Sequence, residues 1–324
     1  MTPYICPYIP LVSSTYDHQL PTSLARICLW VSLNSRLDYY VTMTIGSESP
    51  AAMNEPQSPE WFGAFDVIAA AETLGFRTTA GGVLLSKTMM LIELGTILDL
   101  IPESNAVEVE RAVVVDNLLG KPTGSARRLA LARLNTLYGI LSPRPVQLAA
   151  LRLWPRNVAG RPVLALLCAL AREPLLRQSA RPVLDAHPGA SVRWPDLASA
   201  ILAEYPDRYS PKMLKSLAQN CVSSWTQSGH LQGRVNKRRR LADPSPEAAA
   251  YAALLGSLAG FGGPALLRSP WMRLLDRSEA DLLSLLRRAE SAGLASVRAG
   301  GGVVQIDVRR PMAQLLEVPD LADR

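Results

Sequence analysis

Residues 196–240 read DLASAILAEYPDRYSPKMLKSLAQNCVSSWTQSGHLQGRVNKRRR. A short apolar-periodic segment runs to Tyr205 and stops at Pro206, because proline removes an amide donor and crowds the preceding turn. Ser210-Pro211 then opens a second helix: serine is a preferred N-cap, and proline suits the first helical position. Helical spacing puts Leu214, Leu217, Cys221 and Trp225 on one face and Lys212, Lys215, Gln219 and Ser223 on the other. Gly229 fits a C-cap, and Arg234, Lys237, Arg238, Arg239 and Arg240 follow it. The pattern predicts a helix-turn-helix with an apolar underside, an outward face able to enter a major groove, and a basic flank for phosphates. Gln219 and Asn220 carry side chains able to read adenine edges. An ordinary helical hairpin with a solvated polar face shares this outline.

A second such outline spans Val107 to Gly139, VEVERAVVVDNLLGKPTGSARRLALARLNTLYG. An apolar helix enters a Gly-Lys-Pro turn. A second helix follows with Thr123 as its cap and Ala126, Ala130, Leu134 and Leu137 inward. Ser125, Arg128, Ala132 and Asn135 face out, with Lys121 and Arg127 near the start, where open N–H groups would seat a phosphate. The GKPT run is not a nucleotide loop, since Val115 stands where the motif needs glycine and no strand precedes it. A third segment, Ser278 to Val308, pairs a capping-box helix with strands at Ala295–Arg298 and Val303–Val308. Its N-terminal acids would repel phosphates, so it reads as a winged-helix-like module for packing or a protein partner.

The rest of the 324 residues supports a helical reading. Apolar residues make up 48% and aromatics only 6%, which excludes wholesale disorder and disfavours an all-β fold. Further helices are predicted at Trp61–Glu72, Leu84–Leu100 (with Ser86 as cap), Val146–Leu153, Pro162–Ala171, Glu173–Ala180, Glu247–Phe261 and Pro264–Leu275. Residues 1–75 read as a poorly ordered or weakly structured extension, with Met43 and Met53 as alternative start codons. Residues 76–190 read as an N-terminal helical domain with the first helix-turn-helix, and Arg181–Pro195 as the boundary. Residues 191–311 read as a C-terminal helical domain with the second helix-turn-helix and the winged end, and 312–324 as a tail. The fold class is all-α: a multi-helix globular fold with two helix-turn-helix elements and a small C-terminal β-hairpin wing.

Charge is distributed unevenly. The net is +6 overall, yet residues 1–75 hold two basic and seven acidic side chains. Lys121 to Leu241 holds 20 basic against five acidic ones, with no acid from Lys121 to Arg172. Arginine outnumbers lysine 29 to 5, and its planar fork suits phosphate oxygens. Biased codon usage raises arginine everywhere but does not remove acids, so an anionic partner is expected.

Other chemistries find little support. Cys6, Cys28, Cys168 and Cys221 form no CxxC and read as reduced thiols; with His18, His187 and His230 they show no metal-ligand spacing. No cofactor is expected. No Ser/His/Asp elbow or paired-carboxylate arrangement is visible, and Glu93, Asp99, Asp116 and Asn117 read as caps or ion-pair partners. Ala248–Leu267 is uncharged over a span's length, but its glycines and Pro264 favour a buried helix over a membrane crossing. No signal peptide is apparent.

Five blocks carry a resemblance: GVLLSKTMMLIELG (82–95), DNLLGKPTGSARR (116–128), VLALLCALAREPLLR (163–177), RYSPKMLKSLAQNCVSSWTQSGHLQGR (208–234) and SPWMRLLD (269–276). Together they resemble the BrxA proteins of BREX phage-defence systems over roughly residues 76–310. The resemblance implies a soluble, all-helical, non-enzymatic protein whose two helix-turn-helix elements bind double-stranded DNA within a multi-protein defence system. Carried over, Lys121, Arg127 and Arg128 would face DNA in the first element, and Lys212, Lys215 and Arg234 in the second. The expected interface therefore comprises Lys121, Thr123, Ser125, Arg127, Arg128, Ser210, Lys212, Lys215, Gln219, Arg234, Lys237, Arg238, Arg239 and Arg240. The last four rest on charge alone. The expected state is a cytoplasmic monomer with other BREX subunits as partners; the alternative is an adaptor that docks those subunits through its basic surface without touching DNA.

Overall fold

A computed structural model describes residues 26–28, 42–44, 59–63, 71–101, 105–300 and 303–323. The chain forms two compact units, Met1–Glu55 and Pro56–Arg324. In the first, β1 (Arg26–Cys28) pairs antiparallel with β2 (Thr42–Thr44), a short strand pair for which the sequence carries no strand signal.

The second unit is mostly helical. It runs through α1 (Ala71–Leu74), α2 (Leu91–Leu100), α3 (Ala106–Glu110), a π-helical turn (Arg111–Val115), α4 (Gly124–Tyr138), α5 (Pro145–Leu153) and α6 (Arg161–Arg172). Short α7 (Pro174–Gln178) and α8 (Ala180–Leu184) lead to α9 (Trp194–Glu204) and α10 (Pro211–Gln227). A hairpin of β3 (Leu231–Gln232) and β4 (Arg238–Arg239) precedes α11 (Pro246–Leu258), α12 (Gly263–Arg268), α13 (Pro270–Arg273) and α14 (Glu279–Ser291). A second hairpin, β5 (Ser296–Gly300) with β6 (Val303–Asp307), gives way to α15 (Arg309–Leu316) and α16 (Asp320–Asp323).

Ser-Pro pairs set three of these helix starts. Ser210, Ser245 and Ser269 each accept a hydrogen bond from the backbone N–H three residues on, with proline at the first helical position. The core is built around α6 and α11, apolar on every side: Val163 to Ala171 and Ala248 to Leu255 are buried throughout. Helices of that kind survive only inside a bundle. Among the described residues no helix is long and apolar enough to cross a membrane.

Several sequence expectations need correction. The helix predicted over Leu84–Leu100 begins only at Leu91, because Met89 and Met90 are drawn into the core, Met90 in a left-handed conformation. Met89 N donates to Ser224 Oγ at 2.9 Å, its carbonyl accepts from Tyr138 Oη at 2.5 Å, and Leu91 N donates to Gln227 Oε1 at 3.2 Å. The helix predicted over Trp61–Glu72, with a stop near Gly75, starts instead as a 3₁₀ turn ending at Phe62, then Gly63 at a φ of 117°; residues 64–70 lie outside the described ones, and α1 ends at Leu74, where the stop was expected. Arg181–Pro195 is not a domain boundary. Packing is continuous across it, with Trp225 Nε1 donating to Ser179 Oγ at 2.8 Å and Asn220 Nδ2 to the Leu84 carbonyl at 2.9 Å. Nor does the unit begin at residue 76, since Phe62, Ala71 and Leu74 are core residues. Residues 312–323 are no tail: Met312, Ala313, Leu316 and Leu321 are buried.

Candidate nucleic-acid interface

The α9–α10 pair presents the outward face that periodicity predicted. Leu217, Cys221 and Trp225 are buried, and Leu214 packs against the same core. Fixing that face leaves Lys212, Lys215 and Gln219 exposed, with Ser210 exposed at the cap. Lys215 Nζ sits 5.5 Å from the centre of the Trp194 ring, a cation–π contact that holds the lysine near the start of α9. Asn220 is turned away and donates to the Leu84 carbonyl at 2.9 Å, so it is a packing residue rather than a base reader.

Beyond α10 the chain does not continue as a loop. It returns as the β3–β4 hairpin, pairing Leu231 with Arg239 and Gln232 with Arg238, and Ser191 bridges to Arg238 on the other side. The turn between the strands, residues 233–237, projects as a wing. Gly233 holds it at a φ of 104°, where a β-carbon would collide with the Asn236 carbonyl. Alternation along β4 sends Arg238 and Arg240 outward and Arg239 inward.

Arg239 is therefore a correction. It is 3% exposed, and its guanidinium grips the Asp276 carboxylate through both terminal nitrogens while also donating to the His230 carbonyl at 3.3 Å. It anchors the wing and is closed to phosphate. His230 lies beneath it, with Nε2–H on the Leu274 carbonyl at 2.8 Å, which leaves Nδ1 to accept from the Ser228 hydroxyl at 2.8 Å. Burial pushes this imidazole down to about 4, and Asp276 opposes that only in part from 3.8 Å. Serine, imidazole and carboxylate are thus aligned, yet all three are enclosed and serve as the hairpin's footing.

Between α10 and the wing runs a groove of about 600 Å³. Gln219, Val222 and Ser223 form one wall and Arg234 to Lys237 the other, with Arg193 and Trp194 at the end near α9. Arg234 and Arg238 are exposed; Lys237 is half-buried and donates to the Gly233 carbonyl at 2.6 Å. Arg193, Trp194 and Val235 were not among the expected residues. The signal that could have found the wing is Gly233 with Asn236, two turn formers between short segments.

The first predicted element is assembled differently. Asn117, at a φ of 57°, accepts from Lys121 N at 2.8 Å and shapes the turn. Thr123 caps α4 by accepting from Ala126 N at 3.1 Å, so the helix start is closed by its own side chain. Lys121 Nζ is paired with Glu93 Oε1 at 3.1 Å. Arg127 folds back onto the Val114 and Val115 carbonyls at 3.2 and 3.3 Å, oxygens that the π-helical turn leaves without helical donors. Both residues were expected to face DNA, and both are engaged within the protein. Thr123, Ser125 and Arg128 remain exposed.

Glu93, Asp99 and Asp116 are ion-paired with Lys121, Arg161 and Arg111. Among the described residues no group of His, Cys, Asp or Glu is placed to hold a metal ion. Burial pushes the Cys168 and Cys221 thiols up to about 12, far from the thiolate form that reacts. No protein-family model and no curated protein matches this chain.

Proposed function

We propose that this chain is a non-enzymatic, duplex-DNA-binding accessory protein of a BREX-type phage-defence system. In this reading α9, its turn and α10 act as a helix-turn-helix with β3–β4 as its wing, and α3–α4 is a second, weaker contact. The protein works as a cytoplasmic monomer beside other subunits of the system, as the resemblance to BrxA proteins implies. One observation carries the reading: Lys212, Lys215, Gln219, Arg234, Arg238 and Arg240 are exposed on one helix and the hairpin after it, in a stretch with no acid between Asp207 and Asp243. An exposed cationic surface without interleaved carboxylates suits a phosphate backbone.

The test is an anisotropy titration of a labelled duplex with the purified chain at about 50 and 200 mM salt, where backbone contacts should give a steep loss of affinity. Replacing Lys212 and Arg240 together with glutamate should lower the log–log salt slope by about two, one for each phosphate contact removed. Failure to bind any duplex at the lower salt would overturn the reading and leave the adaptor alternative standing.

A further inference from the structure

Resting on that reading, we propose that the groove between α10 and the wing seats one sugar–phosphate strand, while Arg234 and Val235 at the wing tip enter the neighbouring minor groove. The protein would then favour duplexes whose minor groove is narrow and free of the guanine 2-amino group.

The geometry of B-DNA supplies the first step. A helix about 10–12 Å across fills a major groove about 12 Å wide, and a single backbone strand separates that groove from the next minor groove. A protein with α10 in the major groove and a projecting loop beside it must let that strand pass between them. The groove is the gap available, and its rim is suited to the task. Arg193 and Lys237 supply cations, Ser223 a hydroxyl, and the Trp194 ring an apolar surface for a sugar. Arg193 already meets Asp196 at 3.6 Å, but both side chains are open to solvent and such pairs are weak.

The wing's build supplies the second step. Its base is immobilised by the buried Arg239–Asp276 pair, by the bridge to Ser191 and by Arg238 donating to the Gly189 carbonyl at 2.9 Å. Its tip is the opposite: Val235 is 85% exposed, and Arg234 has no ion-pair partner among the described residues. An aliphatic side chain held out beside an unpaired arginine, on a rigid stalk, matches what minor-groove readers insert. Arginine is drawn to the enhanced negative potential of narrow A·T grooves, and an apolar neighbour wedges against base steps.

The experiment compares three duplexes that differ only in the base pairs flanking a common centre: A·T, G·C, and inosine·C. Inosine keeps guanine's major-groove face and lacks its minor-groove amino group. With the full-length chain, A·T and inosine·C duplexes should bind alike and about five- to tenfold more tightly than G·C. Arg234→Ala, at an exposed position, should fold as the parent does and bind all three equally, still with a salt dependence. Equal binding of the three by the parent, or a preference that survives Arg234→Ala, overturns the wing-tip assignment and leaves DNA binding intact. Absence of binding to every duplex overturns both.

Discussion

The α3–α4 and α9–α10 regions look alike in sequence: an apolar helix, a tight turn, a capped second helix and nearby arginines. They differ in where the charge goes. In α3–α4, Lys121 is held by Glu93 and Arg127 by two carbonyls, so only Arg128 of the three cations carried over from the resemblance stays exposed. Around α10, Lys212, Lys215, Arg234 and Arg240 project, Arg238 is exposed while donating to the Gly189 carbonyl, and only Arg239 is buried. The lesson is that a count of basic residues does not measure a cationic surface. Arginine is also a structural donor, and it is used that way wherever a turn leaves carbonyls unmet.

The largest effect should come from breaking the one inward arginine of the second region. Asp276→Ala strands a charge that is 3% exposed, and removing one partner of a buried pair costs about 3–5 kcal/mol. Urea unfolding should show that loss. Replacing both partners, Arg239→Met with Asp276→Leu, should cost less than the single change, because no charge is then stranded. A single variant as stable as the parent would show that the hairpin base is open to water and the comparison with α3–α4 is mistaken.

The same footing should make the wing acid-sensitive. The buried His230 imidazole sits at about 4 against 6.5 when unfolded, so acidification protonates the unfolded chain first. Its contribution is complete above 6.5 and is lost as the pH falls toward 4. Between about pH 8 and about pH 5 the loss should be about 2 kcal/mol. His230→Gln should flatten this limb while keeping a donor for the Leu274 carbonyl. Unfolding midpoints that fall equally in parent and variant would place the acid sensitivity elsewhere.

Much of this was legible in the sequence, where periodicity decides: the buried side of α10 follows from Leu217, Cys221 and Trp225 recurring at helical spacing. What periodicity does not carry is long-range pairing. The delayed start of α2 depends on Ser224, 135 residues from Met89. Arg239 looks the same as Arg238 and Arg240 in a run of four basic residues; strand alternation and an aspartate 37 residues away set it apart. Lys121 is paired with Glu93, 28 residues upstream. The outward face of the candidate site could thus be read locally, but which of its cations were already spoken for could not.

The smallest effect separates Arg127 from its neighbour Arg128 and tests the comparison within a single turn of helix. Arg127 donates to the Val114 and Val115 carbonyls at the end of the π-helical turn, and a hydrogen bond from a charged donor is worth about 1.5–3 kcal/mol. Water can replace part of that at a half-buried site, so Arg127→Ala should cost about 1–2 kcal/mol in a thermal or urea melt. Its duplex salt slope should not move, because the guanidinium is turned onto the protein's own carbonyls. Arg128→Glu should behave in the opposite way, melting as the parent does and lowering the slope by about one. If instead Arg127→Ala lowers the slope and Arg128→Glu leaves it alone, the inward and outward roles are exchanged, and the α3–α4 region contacts DNA as the motif alone implied.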